Sequence, residues 1–242
     1  MKIRTLGVIP ARLASTRLPR KVLREVAGKP LLVWVVEAAR ACPQLDQVLV
    51  ATDSDEVVAL CRARGIEVEL TSAELASGTD RVHAVAQEID AEIYVNLQGD
   101  EPLLKPEHIT ALLRPFEREH VEVSTLKARC TPENIANPNA VKVVTAADGR
   151  AMYFSRATIP YDRDGAKPEY WKHIGLYAYR KAALARFPSL TASTLEQTER
   201  LEQLRFLENG IDIYVEPTEH DTIGVDTEDD LRLLDALLRL RR

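Results

Sequence analysis

The sequence lacks several features that would place it in a familiar class of protein. Its three cysteines, Cys42, Cys61 and Cys130, are odd in number and far apart. This argues against a disulfide framework and a zinc site, and it favours a reducing cytoplasm. No apolar run approaches the roughly 18 residues that a membrane-spanning helix needs. Residues 1–4 lead straight into a predicted strand, so we expect no signal peptide.

Common catalytic and binding motifs are missing as well. The net charge of −5 does not favour general binding to nucleic acid. Neither glycine-rich phosphate loop, G-x-x-x-x-G-K-[ST] or G-x-G-x-x-G, is present. The histidines have no metal-site spacing such as H-E-x-x-H, and no G-x-S-x-G serine or motif cysteine offers a nucleophile. Covalent catalysis is therefore not expected.

What the sequence does contain is a regular alternation of short β-branched runs and longer amphipathic segments. This alternation predicts parallel βαβ units, and so an α/β fold with a mostly parallel central sheet flanked by helices. Ser54 is predicted to cap one helix and Gly65 to end it. The predicted strands of this pattern are residues 6–9, 47–51, 66–70, 93–97, 121–128 and 211–215.

The alternation breaks in a β excursion near residues 141–180. Residues 141–145, 152–155 and 174–179 are β-like, and we expect a lid or a dimer contact there. A helix is then predicted over 194–208, ended by Asn209-Gly210. With no repeat and no convincing linker, residues 1–242 are interpreted as a single domain.

The first predicted strand ends in a basic loop. Arg12, Arg17 and Lys21 lie there with the small hydroxyl donors Ser15 and Thr16. A cationic loop at a strand end of an α/β chain is where a phosphate-bearing ligand is expected, held by guanidinium and ammonium groups. The alternative is a solvated basic loop without function.

Two carboxylates occupy similar positions later in the chain. Asp100 and Asp226 each follow a short apolar strand that contains or precedes a glycine. If both lie at one sheet edge they suit Mg²⁺, which prefers a few carboxylate oxygens with phosphates and water. The alternative is that each is a turn former or a helix cap.

Other charged side chains suggest a place for an acidic ligand. Arg156 follows an aromatic β stretch and could grip a carboxylate in bidentate fashion, or it could be a surface arginine. Glu202 and Arg205 share a neighbouring face of the predicted helix, where a solvated ion pair is the alternative.

With these residues in view, the chain resembles the CMP-KDO synthetase (3-deoxy-manno-octulosonate cytidylyltransferase) family nearly end to end. The motifs Y-F-S-R and L-E-Q-L-R point most narrowly at this family. The matching segments are I-P-A-R (9–12), S-T-R-L-P (15–19), A-T-D (51–53), S-G-T-D-R (77–81), N-L-Q-G-D-E-P (96–102), Y-F-S-R (153–156), I-P-Y (159–161), H-I-G-L-Y (173–177), L-E-Q-L-R (201–205) and G-V-D-T (224–227).

The resemblance implies a Rossmann-like nucleotide-diphospho-sugar transferase fold and a reaction of CTP with KDO that gives CMP-KDO and diphosphate, for lipopolysaccharide biosynthesis. It also implies a cytoplasmic homodimer, built through residues near 150–180. The implied nucleotide contacts are Pro10, Ala11, Arg12, Ser15, Thr16, Arg17, Lys21, Ser77, Gly78, Arg81 and Gln98. The implied sugar contacts are Gln98, Arg156, His173, Tyr177, Glu202 and Gln203. The implied Mg²⁺ ligands are Asp100 and Asp226, which with Arg12 and Lys21 form the implied catalytic set.

The basic loop departs from the family pattern. The family usually has Gly-Lys-Pro where this chain has Arg20-Lys21-Val22, which keeps the lysine but leaves the role of Arg20 open. Two other functions remain: a cytidylyltransferase for another acidic sugar, such as 8-amino-KDO or a sialic-acid-like compound, and a non-catalytic nucleotide-binding regulator. Both carboxylates are retained, which speaks against the regulator.

Overall fold

The computed structural model describes residues 2–13, 18–222, 224–225 and 227–240. Contacts along the chain divide it into two compact units. The first comprises Met1–Ile109 and Thr222–Arg242, and the second comprises Thr110–Asp221. Since a compact unit need not fold on its own, the single domain expected from the sequence stays a prediction.

Strands and helices alternate through most of the described chain. The strands are β1 (Ile3–Ala11), β2 (Glu25–Val26), β3 (Lys29–Pro30), β4 (Gln47–Thr52), β5 (Glu67–Leu70), β6 (Ala91–Asn96), β7 (Val123–Arg129), β8 (Lys142–Thr145), β9 (Ala151–Ser155), β10 (Trp171–Arg180) and β11 (Ile213–Pro217). The helices are α1 (Leu31–Arg40), α2 (Asp55–Ala63), α3 (Gly78–Glu88), α4 (Pro106–Leu113), α5 (Pro132–Ile135), α6 (Lys181–Arg186), α7 (Thr194–Glu199), α8 (Leu204–Glu208) and α9 (Glu228–Leu240). No helix within these residues has both the length and the apolar character needed to cross a membrane.

The first unit is built on a parallel sheet with the strand order β6–β1–β4–β5. Leu6, Val8 and Ile9 of the central strand β1 are completely buried. Burial on both faces explains why this strand is a continuous apolar run in the sequence, because the helices of βαβ units cover both faces of a parallel sheet. The α/β class and the parallel strands predicted from the sequence are confirmed.

Parallel pairing brings three sequence motifs to one edge of this sheet. Ala11 at the end of β1 lies opposite Thr52 at the end of β4. Val8 of β1 lies opposite Asn96, the last residue of β6. The segments that begin at Arg12 and Asp53 therefore leave the sheet at its carboxyl edge, together with the segment after Asn96, where open α/β sheets bind ligands.

The helix boundaries in this unit follow from capping side chains. The Ser54 Oγ accepts a hydrogen bond from the Val57 N–H at 3.4 Å, which confirms the predicted cap of α2. Gly65 follows the end of α2 with a φ of 60°, a conformation that suits glycine. At α3, the Ser77 Oγ accepts from the Asp80 N–H at 3.1 Å and the Asp80 carboxylate accepts from the Ser77 N–H at 3.0 Å. This reciprocal capping box fixes the turn that precedes α3.

The C-terminal helix α9 packs against the segment that carries Lys21. Leu231, Leu234 and Leu238 share an apolar cluster with residues of the β2–β3 region. The Arg24 guanidinium donates to both carboxylate oxygens of Glu228, at 2.6 and 3.0 Å. The leucines on one side of α9 therefore face this cluster, and their packing holds the segment that follows the basic loop.

The second unit has a mixed sheet. Strand β7 pairs with β11 in parallel and with β10 in antiparallel fashion. Strand β8 pairs with β9 and, at Lys142, with β10, both in antiparallel fashion. The β excursion predicted near residues 141–180 is confirmed by β8, β9 and β10.

The prediction of a single helix over residues 194–208 is wrong. The chain instead forms α7 and α8, separated by Arg200 in the left-handed conformation with a φ of 55°. The carbonyl oxygens of Glu199 and Arg200 accept hydrogen bonds from the Arg156 guanidinium, at 2.7 and 3.4 Å. These tertiary bonds satisfy acceptors that a continuous helix would have used internally, so local periodicity did not decide the backbone here.

Candidate active site

At the carboxyl edge of the first unit, Arg12 joins two of the predicted nucleotide segments. Its guanidinium donates from Nη2 to the Leu75 carbonyl at 2.6 Å and from Nη1 to the Ala76 carbonyl at 3.1 Å. Those two carbonyls directly precede Ser77, so Arg12, at the start of the basic loop, lies beside the Ser77 turn. Ser15, Thr16 and Arg17 lie outside the described residues.

A close backbone approach fixes the turn before Asp100 against the end of β1. The Leu97 N–H donates to the Val8 carbonyl at 2.9 Å. A Cβ atom placed on Gly99 would lie 2.8 Å from the Pro10 carbonyl oxygen. Only glycine fits this spacing, because the clashing atom belongs to the backbone and cannot rotate away. Pro10, Ala11 and Gln98, all predicted to contact the nucleotide, are thereby held at one edge.

Replacing Gly99 by alanine is expected to lower the melting temperature, because the new methyl group forces Pro10 and the Asp100 turn apart. An overpacked site of this kind costs about 1–3 kcal/mol. Gly78→Ala is the control, since its Cβ would meet only ordinary contacts, the nearest at 3.6 Å to Asn96 Nδ2. Thermal unfolding followed by circular dichroism measures both. Equal melting temperatures for the two variants would contradict this account of Gly99.

The structure brings together two residues of the predicted catalytic set. The Lys21 Nζ lies 2.5 Å from the Asp100 Oδ2, and their side chains are 13% and 26% exposed. The Val225 N–H donates to the Asp100 carbonyl at 3.1 Å, so the G-V-D-T segment reaches this turn. Asp226 itself lies outside the described residues. Both side chains are partly exposed, so each can bind a ligand in place of the other. Lys21 can contact a phosphate, and Asp100 can bind a cation.

The donors near Asp100 suit Mg²⁺ better than a metal that needs a full protein cage. Within the described residues, no group of three or more His, Cys, Asp or Glu side chains could hold a metal ion. Mg²⁺ does not require such a group, because it is usually bound by one or two carboxylates with substrate phosphates and water. The partly exposed Asp100 carboxylate fits that requirement.

Arg20 is unusual in its backbone conformation. It adopts the left-handed conformation, with a φ of 58°, at the position where the family usually has glycine. Its guanidinium pairs with Glu56 at the surface, with 58% of the Arg20 side chain exposed. Glycine reaches this backbone conformation without strain, whereas arginine does not. Arg20 therefore holds a conformation that suits glycine and forms a surface ion pair.

Arg81, a predicted nucleotide contact, lies in the interior of the first unit. Its side chain is 0% exposed, and Nη2 lies 3.2 Å from the Asp53 Oδ2. Nη1 donates to the Thr71 hydroxyl. Burial lowers the pKa of Arg81, and the neighbouring Asp53 opposes that change. This geometry makes Arg81 a support that joins the ends of β4 and β5 to α3, and a direct contact with the nucleotide stays a prediction that the burial does not favour.

In the second unit, Arg156 is anchored to the backbone of neighbouring segments. Its guanidinium donates to the Glu199, Pro138 and Arg200 carbonyls, at 2.7, 3.1 and 3.4 Å. Three of its N–H groups are used in this way, and two make no hydrogen bond within the described part of the chain. Two N–H groups are enough for a bidentate grip on a carboxylate, so the predicted role remains open to Arg156.

His173 and Tyr177 form a neutral polar pair on β10. The His173 Nε2 lies 3.0 Å from the Thr125 hydroxyl, and the His173 and Tyr177 rings lie 5.4 Å apart. Burial and the neighbouring Lys172 lower the pKa of His173 to about 3, so the ring is uncharged at neutral pH. Burial raises the pKa of Tyr177 well above its usual range, so its hydroxyl stays protonated. Such uncharged groups suit the hydroxyls of a sugar rather than a phosphate.

Glu202 and Gln203 lie in the turn between α7 and α8. Gln203 is 7% exposed, and its buried Nε2 has no hydrogen-bond partner within the described residues. Nearby, Arg205 forms a bidentate pair with Glu196, with N–O distances of 2.5 and 2.8 Å. Glu196 is thus an acidic partner of Arg205, one that the sequence did not suggest.

The sequence interpretation missed two charged residues that contact Arg156. Glu199 accepts from the Arg156 N–H at 2.9 Å, and Lys142 donates to the Arg156 carbonyl at 3.0 Å. The acidic residues Glu196, Glu199 and Glu202 recur every three residues, a pattern typical of a solvated helix face, so Glu199 did not stand out. Lys142 lies in a β-like run, where no feature of the sequence indicated its contact with Arg156.

The comparisons with known proteins agree with these motifs. A family model described as cytidylyltransferase matches residues 6–213. A 3-deoxy-manno-octulosonate cytidylyltransferase of Acidobacterium capsulatum is 65% identical over 99% of this chain and 98% of its own length. The chain belongs to the 3-deoxy-manno-octulosonate cytidylyltransferase family. A second member, from Koribacter versatilis, is 57% identical over 99% of this chain and 92% of its own length.

Solved structures place the fold within the same family. The structure of CMP:2-keto-3-deoxy-manno-octonic acid synthetase complexed with CTP matches with a TM-score of 0.95 and 39% identity, over 99% of this chain and 100% of that one. A cytidylyltransferase from Leptospira borgpetersenii matches with a TM-score of 0.66 and 17% identity, over 98% and 87% of the two chains, and shows likeness of fold alone. The predicted family and fold are confirmed.

Proposed function

We propose that this chain transfers the cytidylyl group of CTP to KDO, giving CMP-KDO and diphosphate. Its relatives are named for this sugar acid, and the solved synthetase is complexed with CTP. The observation on which the proposal chiefly rests is the contact of Lys21 with Asp100 at the carboxyl edge of the first unit. A cation and a carboxylate side by side can receive both a triphosphate and its metal ion.

In the proposed reaction, the anomeric hydroxyl oxygen of KDO attacks the α-phosphorus of CTP. The new P–O bond forms as the bond from that phosphorus to the diphosphate oxygen breaks, and the hydroxyl proton passes to solvent water. An anionic sugar must approach an anionic triphosphate, so charge repulsion is the main obstacle. Arg12, Arg17 and Lys21 would neutralise phosphate oxygens as charge moves onto the leaving diphosphate.

Asp100 and Asp226 would hold Mg²⁺ in the loaded enzyme. When bound, that ion supplies positive charge to the phosphate oxygens and lowers the pKa of a coordinated hydroxyl. Asp100 offers a hard oxygen donor that is partly exposed, and its present partner Lys21 is itself suited to a phosphate. The chain then needs no separate histidine or carboxylate as a general base.

The second unit would bind the sugar acid. Arg156 would take the carboxylate of KDO, and the neutral pair His173 and Tyr177 would take its hydroxyls. The buried Nε2 of Gln203 is a donor in need of an acceptor, which supports a role in binding. Glu202 is the remaining sugar contact proposed in this unit.

We further propose a cytoplasmic homodimer that acts in lipopolysaccharide biosynthesis. The free thiols of Cys42, Cys61 and Cys130 are compatible with a reducing compartment, which supports the location. Met152 and Tyr161 in the β excursion have 65% and 86% of their surface exposed. Exposed apolar and aromatic residues of this kind support a contact with a second copy.

The proposed function is tested by measuring diphosphate release from the purified chain with Mg²⁺. Rapid release is expected with CTP and KDO together, and little with CTP alone or with UTP in place of CTP. The same assay with 8-amino-KDO and with a sialic acid distinguishes KDO from other acidic sugars. Faster turnover of either alternative sugar than of KDO would overturn the proposed substrate.

A further inference from the structure

Two charged side chains of opposite sign hold the backbone of Arg156 from both ends. The Glu199 Oε2 accepts from the Arg156 N–H at 2.9 Å. The Lys142 Nζ donates to the Arg156 carbonyl at 3.0 Å. Hydrogen bonds between a charged group and the backbone are stronger than neutral ones, so both bonds restrain the same residue firmly.

Glu199 does more than cap this one N–H. Its Oε1 accepts from the Ser155 hydroxyl at 2.5 Å and from the Tyr153 hydroxyl at 3.5 Å. Its backbone carbonyl accepts from the Arg156 Nε at 2.7 Å. Burial acts to raise the pKa of Glu199, but the hydrogen bonds from Ser155 and Arg156 outweigh it and lower the pKa. Glu199 is therefore an ionised anchor for Tyr153, Ser155 and Arg156.

Lys142 is fully buried, and its ammonium group is satisfied by carbonyl oxygens. Besides the Arg156 carbonyl, it donates to the Asn137 and Ala140 carbonyls, at 2.7 and 2.5 Å. Its three N–H bonds are thus all used. Burying a charge is costly unless every donor is satisfied, so an interior lysine needs a reason beyond packing.

Two of the segments near these bonds contribute carbonyls to the Arg156 guanidinium. They are the loop at residues 137–140, through Pro138, and the break between α7 and α8, through Glu199 and Arg200. A side chain whose surroundings are fixed in this way loses little entropy when it binds a ligand. This restraint favours ligand binding by the two Arg156 N–H groups that make no hydrogen bond within the described residues.

We propose that Glu199 and Lys142 are positioning residues that fix Arg156 for the carboxylate of the sugar acid, and that they set the apparent affinity for that acid and not for the nucleotide. This inference rests on the proposed function, since it assigns Arg156 to the acidic substrate. A purely structural role would instead lower thermal stability and impair the use of both substrates alike.

The test compares Glu199→Gln and Lys142→Met with the wild-type enzyme in steady-state diphosphate release. Each variant is expected to raise the KM for KDO about 10- to 100-fold, the loss that corresponds to one hydrogen bond of a charged group. The KM for CTP is expected to stay within about twofold, because the predicted nucleotide contacts all belong to the first unit. Glu169→Gln and Lys181→Met are the matched controls, both at exposed positions of the second unit, and should change neither KM.

A double-mutant cycle with Arg156→Ala separates positioning from general damage. If Glu199 acts through Arg156, adding Glu199→Gln to the Arg156→Ala variant should raise the KM for KDO less than about threefold further. Glu199→Gln keeps the size of the side chain, so the cycle remains measurable even if Lys142→Met does not fold. Equal increases in both KM values, or an undiminished effect in the Arg156→Ala background, would overturn the proposal. A wild-type enzyme that releases no diphosphate from CTP and KDO would instead overturn the proposed function.

Discussion

Asp100→Asn is expected to lower the kcat for diphosphate release about 100- to 1,000-fold, the usual effect of removing one electrostatic group from a transition state. The substitution removes the negative charge that would hold Mg²⁺ and leaves Lys21, whose Nζ is 2.5 Å from Asp100, without its carboxylate. The amide keeps the shape of the side chain, so a large fall in kcat would show that the negative charge of Asp100 is needed. Initial rates at saturating CTP, KDO and Mg²⁺ measure the effect.

The control for Asp100→Asn is Asp55→Asn, which removes an exposed carboxylate from the first turn of α2. It is expected to leave the rate unchanged, which excludes a general effect of lost negative charge. Circular dichroism should show that both variants are folded. If Asp100→Asn kept nearly wild-type turnover at saturating Mg²⁺, the assignment of Asp100 to the metal would be wrong.

Arg81→Met is expected to destabilise the chain by about 3–5 kcal/mol, the cost of breaking a buried ion pair by removing one partner. Methionine fills much of the space, but it leaves Asp53 and the Thr71 hydroxyl without the guanidinium that contacts them now. For a chain of this length each kcal/mol corresponds to about 2–4 °C, so the melting temperature should fall by about 6–20 °C. Thermal unfolding followed by circular dichroism measures this shift.

Two further variants make the expectation for Arg81 specific. Arg62→Met removes an exposed arginine near the end of α2 and should leave the melting temperature unchanged. Adding Asp53→Asn to Arg81→Met should recover part of the loss, because it removes the carboxylate left without its partner. A melting temperature of Arg81→Met close to that of the wild type would show that the interior pair does not support the fold.

Much of the first unit could be predicted from the sequence because local signals and tertiary structure agree there. The apolar run around Val8 is buried on both sides, and Ser54 caps the helix that follows the second major strand. The βαβ pattern placed Arg12 and Asp100 each after a strand, and parallel strands have their carboxyl ends at one edge of a sheet. In such regions each local preference points to the same fold.

Other features could not be predicted because tertiary contacts decide them. The periodicity of residues 194–208 is helical, yet Arg156 takes the carbonyls of Glu199 and Arg200 and the helix breaks. Arg81 belongs to a motif that suggests ligand contact, but only the structure shows its side chain at 0% exposure. Lys142 gave no signal, since nothing in a β-like run indicates that three carbonyls will surround one ammonium group.

The most direct test of the central proposal is to identify the product formed from CTP and KDO by the wild-type chain with Mg²⁺. Mass spectrometry should show CMP-KDO, formed in a one-to-one ratio with diphosphate and only when both substrates are present. Release of diphosphate or CMP without a sugar nucleotide, or a product with another sugar acid but none with KDO, would contradict it.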